Sequence, residues 1–269
     1  MALTSKITAI ADAIRGKTGG TEKLTLDAMP TEITNIYGYK NEDALITRTL
    51  EGEYTNDRIS TVGWGAFKKC FITSVNLPNV TKVDYDAFSY CINLTTVNIP
   101  KVKSLGGNTF SNCIKLTSVD FPEVTTIDKS EFEFCNALTS VNLPLVTSEI
   151  KNHLFYFCQK LTFVNLPLVT SIEAYAYPFM GCDKLTTLKL PSLMSANQGA
   201  FSNSSITSLI LSNTEQICTL LGNVFTNSPI EKGTGYIYVP DELVESYKVA
   251  TNWSEFADQI KPLSEYVEA

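Results

Sequence analysis

A single histidine, His153, stands in a chain of 269 residues. That scarcity excludes every zinc site built on a histidine pair, and any Ser/His or Cys/His catalytic pair has to run through this one imidazole. Basic residues are outnumbered too: 21 Lys and Arg against 28 Asp and Glu give a net charge of -7. They are scattered singly, so no cluster can neutralise a run of phosphates, and nucleic acid is not expected as a partner. No run approaches the ~18 consecutive apolar residues of a membrane span, and the N-terminus lacks the basic-then-apolar pattern of a secretory signal. Neither membrane insertion nor export by a signal in this chain is expected. What remains, 44% hydrophobic and 18% charged, is a globular composition. A compact chain of this length buries roughly three-quarters of its unfolded surface, so folding requires neither metal nor disulfide.

A phrase recurs along the middle of the chain. FKKCFITSVNLPNVT occupies 67–81, FSYCINLTTVNIPKV 88–102, FSNCIKLTSVDFPEVT 110–125 and FEFCNALTSVNLPLVT 132–147. FYFCQKLTFVNLPLVT follows at 155–170, FMGCDKLTTLKLPSL at 179–193 and a degraded copy, FSNSSITSLILSN, at 201–213. The landmark residues Phe67, Phe88, Phe110, Phe132, Phe155, Phe179 and Phe201 are spaced 21 to 24 apart, and Phe225 begins a fading eighth copy. Within a copy, Leu94-x-x-Val97-x-Ile99 has the L-x-x-L-x-L spacing of a leucine-rich repeat. Alternating apolar residues predict a short strand with one buried face, and Pro100, lacking an N–H, ends it without removing a donor from the ladder. Val102, Leu105 and Phe110 are expected to point inward from the return path. One copy cannot bury its apolar side alone, but copies stacked at the ~4.8 Å strand spacing share a continuous core.

Phe-x-x-Cys before the strand and Pro directly after it resemble the BspA-like leucine-rich repeats of bacterial surface and gut-associated proteins, over residues 59 to about 228. The flanks DALITRTLEGEYTNDRISTVGWGAF (43–67) and YIYVPDELVESYKVATNWSEFADQIKPL (236–263) are similar to the segments that open and close such proteins. The resemblance implies a repeat solenoid, with a parallel β-sheet on one face and an irregular or short-helical return path, used for recognition or adhesion and not for catalysis. No cofactor, metal site or catalytic residue is expected.

The expected division is 1–36, a helical segment for assembly or capping; 37–58, an opening cap; 59–228, about seven repeats; and 229–269, a closing cap of one strand and two helices. In the closing cap, Tyr236 to Pro240 reads as a strand. Asp241 reads as the N-cap of a helix through Ala250, and Trp253, Phe256 and Ile260 would pack a second helix onto the last coil. In the first segment, Leu3, Ile7, Ile10, Ala11 and Ile14 fall at helical spacing, and Gly16 and Gly19-Gly20 break the helix. This stripe needs a partner, either the first repeat or further copies of itself. Residues 1–36 are also similar to the short N-terminal segments of phage-tail and prophage structural proteins of Gram-positive hosts. That likeness implies virion assembly and an outward-facing location on a virion or bacterial surface.

Other signals fail on inspection. Gly16-Lys17-Thr18 imitates the end of a P-loop, but Ala11 stands where its first glycine belongs and a helical pattern precedes it in place of a strand. Gly63-Trp64-Gly65 and Gly233-Thr234-Gly235 complete no dinucleotide fingerprint and read as turns. Cys70, Cys91, Cys113, Cys135, Cys158 and Cys182 share one repeat position. Their side chains are expected to run parallel, too far apart for disulfides and not convergent on a metal, as buried reduced spacers. His153 reads as a surface residue with no evident carboxylate partner. Asp84 with Asp86, and Glu131 with Glu133, read as solvated turns of the convex side.

The outward strand positions form two columns. One holds Ser74, Thr96, Ser118, Ser140, Phe163, Thr187 and Ser208; the other Asn76, Asn98, Asp120, Asn142, Asn165, Lys189 and Ile210. Such rows either hydrogen-bond a glycan or peptide backbone, or satisfy one another as ladders that only stabilise the sheet. The departures Phe163, Lys189 and Ile210 draw the candidate ligand site to Asn142, Phe163, Asn165, Thr187, Lys189 and Ile210, with Phe163 and Ile210 expected to be exposed anchors. The expected partner is a protein or glycan on a cell surface, with homo-oligomer or virion assembly through 1–36. The alternative is a virion-structural spacer without a specific ligand.

Overall fold

The computed structural model of the chain describes residues 51–268. The expected N-terminal stripe and Gly16-Lys17-Thr18 lie outside the described residues. From residue 51 onward the chain winds as a right-through stack of coils, each contributing one strand to a parallel ladder. Ser74, Val75 and Asn76 pair in register with Thr96, Val97 and Asn98. Ser118–Asp120, Ser140–Asn142 and Phe163–Asn165 pair likewise, as do Thr187–Lys189, Ser208–Ile210 and Tyr236–Val239. The central residue of each strand turns inward: Val75, Val119, Val141, Leu188, Leu209 and Ile237 are buried. The ladder extends to the residue before proline, as where Leu77 N donates to Asn98 O and Leu143 N to Asn165 O, and stops where proline has no N–H to give. The threonine of the recurring L-T phrase adds a side-chain rung: Thr95, Thr117 and Thr139 hydroxyls donate to the carbonyls of Thr73, Thr95 and Thr117.

Of the two forms expected for the return path, irregular or short-helical, it takes the irregular one, with no helix between residues 51 and 235. It consists of turns and a second column of short parallel strands, Thr61–Val62, Lys82–Val83 and Ser104–Leu105 at one end and Ser171–Ile172, Ser195–Asn197 and Thr219–Leu221 at the other. Helix is excluded there because two residues per coil, two before and two after the landmark phenylalanine, take left-handed backbone. Asp86 and Tyr90, Asn108 and Asn112, Ser130 and Phe134, and His153 and Phe157 form these pairs. That region costs a side-chain-bearing residue about 1–2 kcal/mol. The inter-coil bonds that these amides donate compensate, among them Tyr90 N to Ser111 O and Phe157 N to Met180 O, both 2.8 Å.

Between the ladders runs the core. Phe67, Phe88, Phe110, Phe132, Phe155, Phe179, Phe201 and Phe225 stack in a file with centroids 5.0 to 6.3 Å apart. Beside it runs the cysteine file. Cys91, Cys113, Cys135, Cys158 and Cys182 each donate Sγ–H to the carbonyl of the landmark phenylalanine one coil earlier, at 2.9 to 3.1 Å. All seven cysteines are buried and none is in a disulfide, and burial pushes Cys182 and Cys218 up to about 12. Ser204, which replaces cysteine in the degraded copy, bonds within its own coil, to Phe201 O.

Aromatic plugs close the file at both ends. Tyr54, on the strand Glu51–Thr55, packs on Phe67 at 4.8 Å. Trp253 and Phe256 cover Phe225 at 6.2 and 5.0 Å. The indole N–H of Trp253 donates to Cys218 O, and Cys218 N donates to the Tyr247 hydroxyl, so both buried polar groups are satisfied. The closing segment differs from expectation in two ways. Its α-helix spans only Val244–Val249, preceded by a 3-10 turn over Asp241–Leu243, and Asp241 makes no N-cap bond because its carboxylate accepts Ser264 N. The second helix, Ser254–Gln259, is 3-10, kinked at Phe256 where that ring turns onto Phe225. It leads into a strand, Ile260–Pro262, that extends the sheet beside Tyr236–Val239.

Candidate interaction surface

The outward columns face solvent as the strand register requires. Phe163 is 55% exposed in a column that begins at Glu53 and ends at Tyr236 and is otherwise made of hydroxyls. Beside it the amides bond one another. Asn165 Nδ2 donates to Asn142 Oδ1 and Asn142 Nδ2 to Asp120 Oδ1, both 2.7 Å, and Asn98 donates to Asn76 in the same way. The relay breaks between Asn98 and Asp120, because an ionised carboxylate has no proton to pass on. Thr187 is half-buried, in register with Ser208.

At the C-terminal end the surface departs from expectation. Ile210 is 5% exposed and is not an available anchor. The chain beyond the strand Ile260–Pro262 turns through Leu263–Glu265 and runs back over the sheet. There the Tyr266 ring meets Tyr238 at 5.1 Å and Lys189 Nζ at 5.5 Å, and Glu268 bonds Lys189 at 2.5 Å. Tyr266 thus rests on both neighbours of Ile210, and the Glu268 carboxylate raises the Lys189 pKa above the usual lysine value. The six candidate positions are therefore divided: Asn142, Phe163 and Asn165 form one contiguous patch, Lys189 and Ile210 lie at a second, occupied place, and half-buried Thr187 stands on the Lys189 strand.

The convex side holds what sequence reasoning missed. Glu131 is fully buried and is not a solvated turn residue. It occupies the inward column of Ala87, Thr109, Leu154 and Ala200, and its oxygens accept Thr109 N at 3.1 Å and Asp128 N at 3.0 Å. Burial raises it to about 8, against these bonds, which lower it. Asp86 is also largely buried, paired with Lys68 at 2.5 Å, while Asp84 pairs with Lys82. His153 has a carboxylate partner after all, Glu133 at 3.5 Å, and stacks on Tyr156 at 4.3 Å. Adjacent coils bring them together, which local sequence does not show. Among the described residues no hydroxyl or thiol bonds this imidazole. A groove of about 450 Å³ opens between Ile114, Asn136, Gln159 and Lys184, where Asn136 Oδ1 is buried without a hydrogen-bond partner.

The family model described as the BspA type leucine-rich repeat region matches residues 60–178 and 148–234, in six copies. The chain belongs to this family. BspA-type coils account for both strand columns and for the phenylalanine and cysteine files between them. Similar solved structures include a leucine-rich cell surface protein from Faecalibacterium prausnitzii, with 20% identity and TM-score 0.47 over 71% of this chain and 69% of that one. A leucine-rich repeat protein from Bacteroides ovatus has 19% identity and TM-score 0.43, over 76% and 69%. The leucine-rich repeat protein of T. pallidum has 23% identity and TM-score 0.39, over 49% and 77%. No curated protein matches the sequence. No comparison bears out the phage-tail likeness of residues 1–36, and no helix among the described BspA-type coils and cap is long and apolar enough to cross a membrane.

Proposed function

We propose that this BspA-type chain is a non-enzymatic recognition or adhesion protein, displayed on a phage tail or bacterial surface, that binds a cell-surface protein or glycan through its sheet face. The observation that carries this reading is Phe163, an exposed ring set among hydroxyls and amides, the composition of an anchor with a polar surround. In this reading residues 1–36 attach or assemble the protein, 37–58 open the array, 59–228 form it and 229–269 close it. Saturable binding to host cells tests the reading. Asn142→Lys with Asn165→Lys breaks the amide relay beside Phe163 and is expected to abolish that binding while the chain still melts cooperatively, at a somewhat lower midpoint.

A second reading, a virion spacer without a ligand, is favoured by one observation: the amide ladder already satisfies itself. It expects no cell binding by the unaltered chain at any concentration. Light scattering tests the role of 1–36, with an oligomer expected for the full chain and a monomer for a truncation starting at Asn41.

A further inference from the structure

The outward column that ends the sheet reads Lys189, Ile210, Tyr238, Lys261, in register across four adjacent parallel strands. An ammonium group stands at each end of an apolar and aromatic middle. Two carboxylates of the chain face this row, Glu268 on Lys189 and Glu265 near Tyr238, whose pKa is raised by burial first and by Tyr236 and Glu265 after it. Lys261 sits over the Tyr236 ring at 5.7 Å and has no carboxylate partner among the described residues. The chain's own Tyr266 and Glu268 lie on this row, the ring against Tyr238 and Lys189 and the carboxylate on Lys189. Their hold is weak by construction. The Lys189 and Glu268 side chains are 48% and 75% exposed, and exposed ion pairs contribute little in water. Val267 between them is exposed and anchors nothing.

We propose that the row Lys189, Ile210, Tyr238, Lys261 is a docking site for an extended peptide bearing an aromatic side chain and, two residues on, a carboxylate, and that Tyr266-Val267-Glu268 covers it in cis as a displaceable strap. The seated segment defines the chemistry: the ring rests on Lys189 and Tyr238, the two residues that flank Ile210, and the carboxylate pairs with Lys189. Lys261 is the remaining cation, available to a second acidic group on an incoming segment. A partner segment competes with the strap, so the site binds in trans only what outbids an intramolecular copy. The proposal rests on the sheet face being the ligand-bearing side, and it adds the chemistry recognised at its far end.

The test uses the full-length chain and a labelled peptide, LSEYVE, which copies residues 263–268. The double variant Tyr266→Ser with Glu268→Gln removes the strap's contacts and is expected to bind the peptide at least tenfold more tightly than the unaltered chain, measured by fluorescence anisotropy at low salt. Adding Lys189→Glu in that background, or replacing the peptide tyrosine by serine, is expected to abolish binding. Two results overturn the proposal: no saturable binding by a double variant that melts like the unaltered chain, or equal binding by both. Should the double variant fold poorly, Glu268→Gln alone alters only an exposed pair and carries the same expectation at smaller amplitude. Host cells are not involved, so failure here is distinct from failure of the Asn142 and Asn165 test.

Discussion

Glu131 is a carboxyl group held in an inward column by two backbone N–H donors, so its titration is coupled to folding. Its folded pKa, about 8, lies above the ordinary carboxylate value. The folded state therefore binds the proton more tightly than the unfolded chain does. This contribution to stability is fully present below about pH 4.5 and is lost as pH rises toward 8, on the order of 5 kcal/mol at most. Thermal melts at pH 5 and pH 8.5 check this. The unaltered chain is expected to lose more stability across that interval than Glu131→Gln, which cannot ionise. The variant pays elsewhere, because its amide NH2 faces a backbone N–H, and is expected to be less stable at pH 5 by about 1–3 kcal/mol. Reading Glu131 and Glu133 as one solvated turn follows from their local spacing. Inside and outside are set instead by the column across copies, and the alignment with Ala87, Leu154 and Ala200 carries the signal that local reading overlooks.

At the scale of the element, the phenylalanine file and its plugs differ in what their loss does. Phe132 lies in mid-file with a ring on either side. Phe132→Ala is expected to cost about 3–5 kcal/mol, read as a lower denaturation midpoint of the whole array. Trp253→Ala strips a plug and leaves the Cys218 carbonyl without its indole donor. Its damage is expected to be local, with faster amide exchange over 236–262 and little change around Phe110. The file was legible in the sequence because its period fixes its geometry. The closing segment was legible only in part. Trp253, Phe256 and Ile260 are buried as their apolar character predicts, but Asp241 is drawn to Ser264 and the 3-10 winding follows Phe256, contacts that no local pattern encodes.

The whole molecule is a stack in which each coil contacts its neighbours, so stability is a sum of coil and interface contributions. Removing the 22 residues 89–110 deletes one period and joins Phe88 to Ser111 in register. This deletion is expected to leave a cooperatively melting protein of the same circular-dichroism shape and somewhat lower midpoint, whereas deleting only 89–99 is expected to abolish the melt. The array was legible because it repeats; the burial of Ile210 was not, because the Tyr266 ring that rests on both its neighbours comes from the closing segment. A stack of this kind also has a mechanical character. Both strand columns lie across the stacking axis, so their hydrogen bonds point along it. Tension applied to the two ends loads the outermost coil first and peels it, concentrating force on a few bonds at a time. Each released coil yields about 75 Å of slack. A tether so constructed lengthens in steps and dissipates a tug that a laterally sheared sheet would resist until it broke.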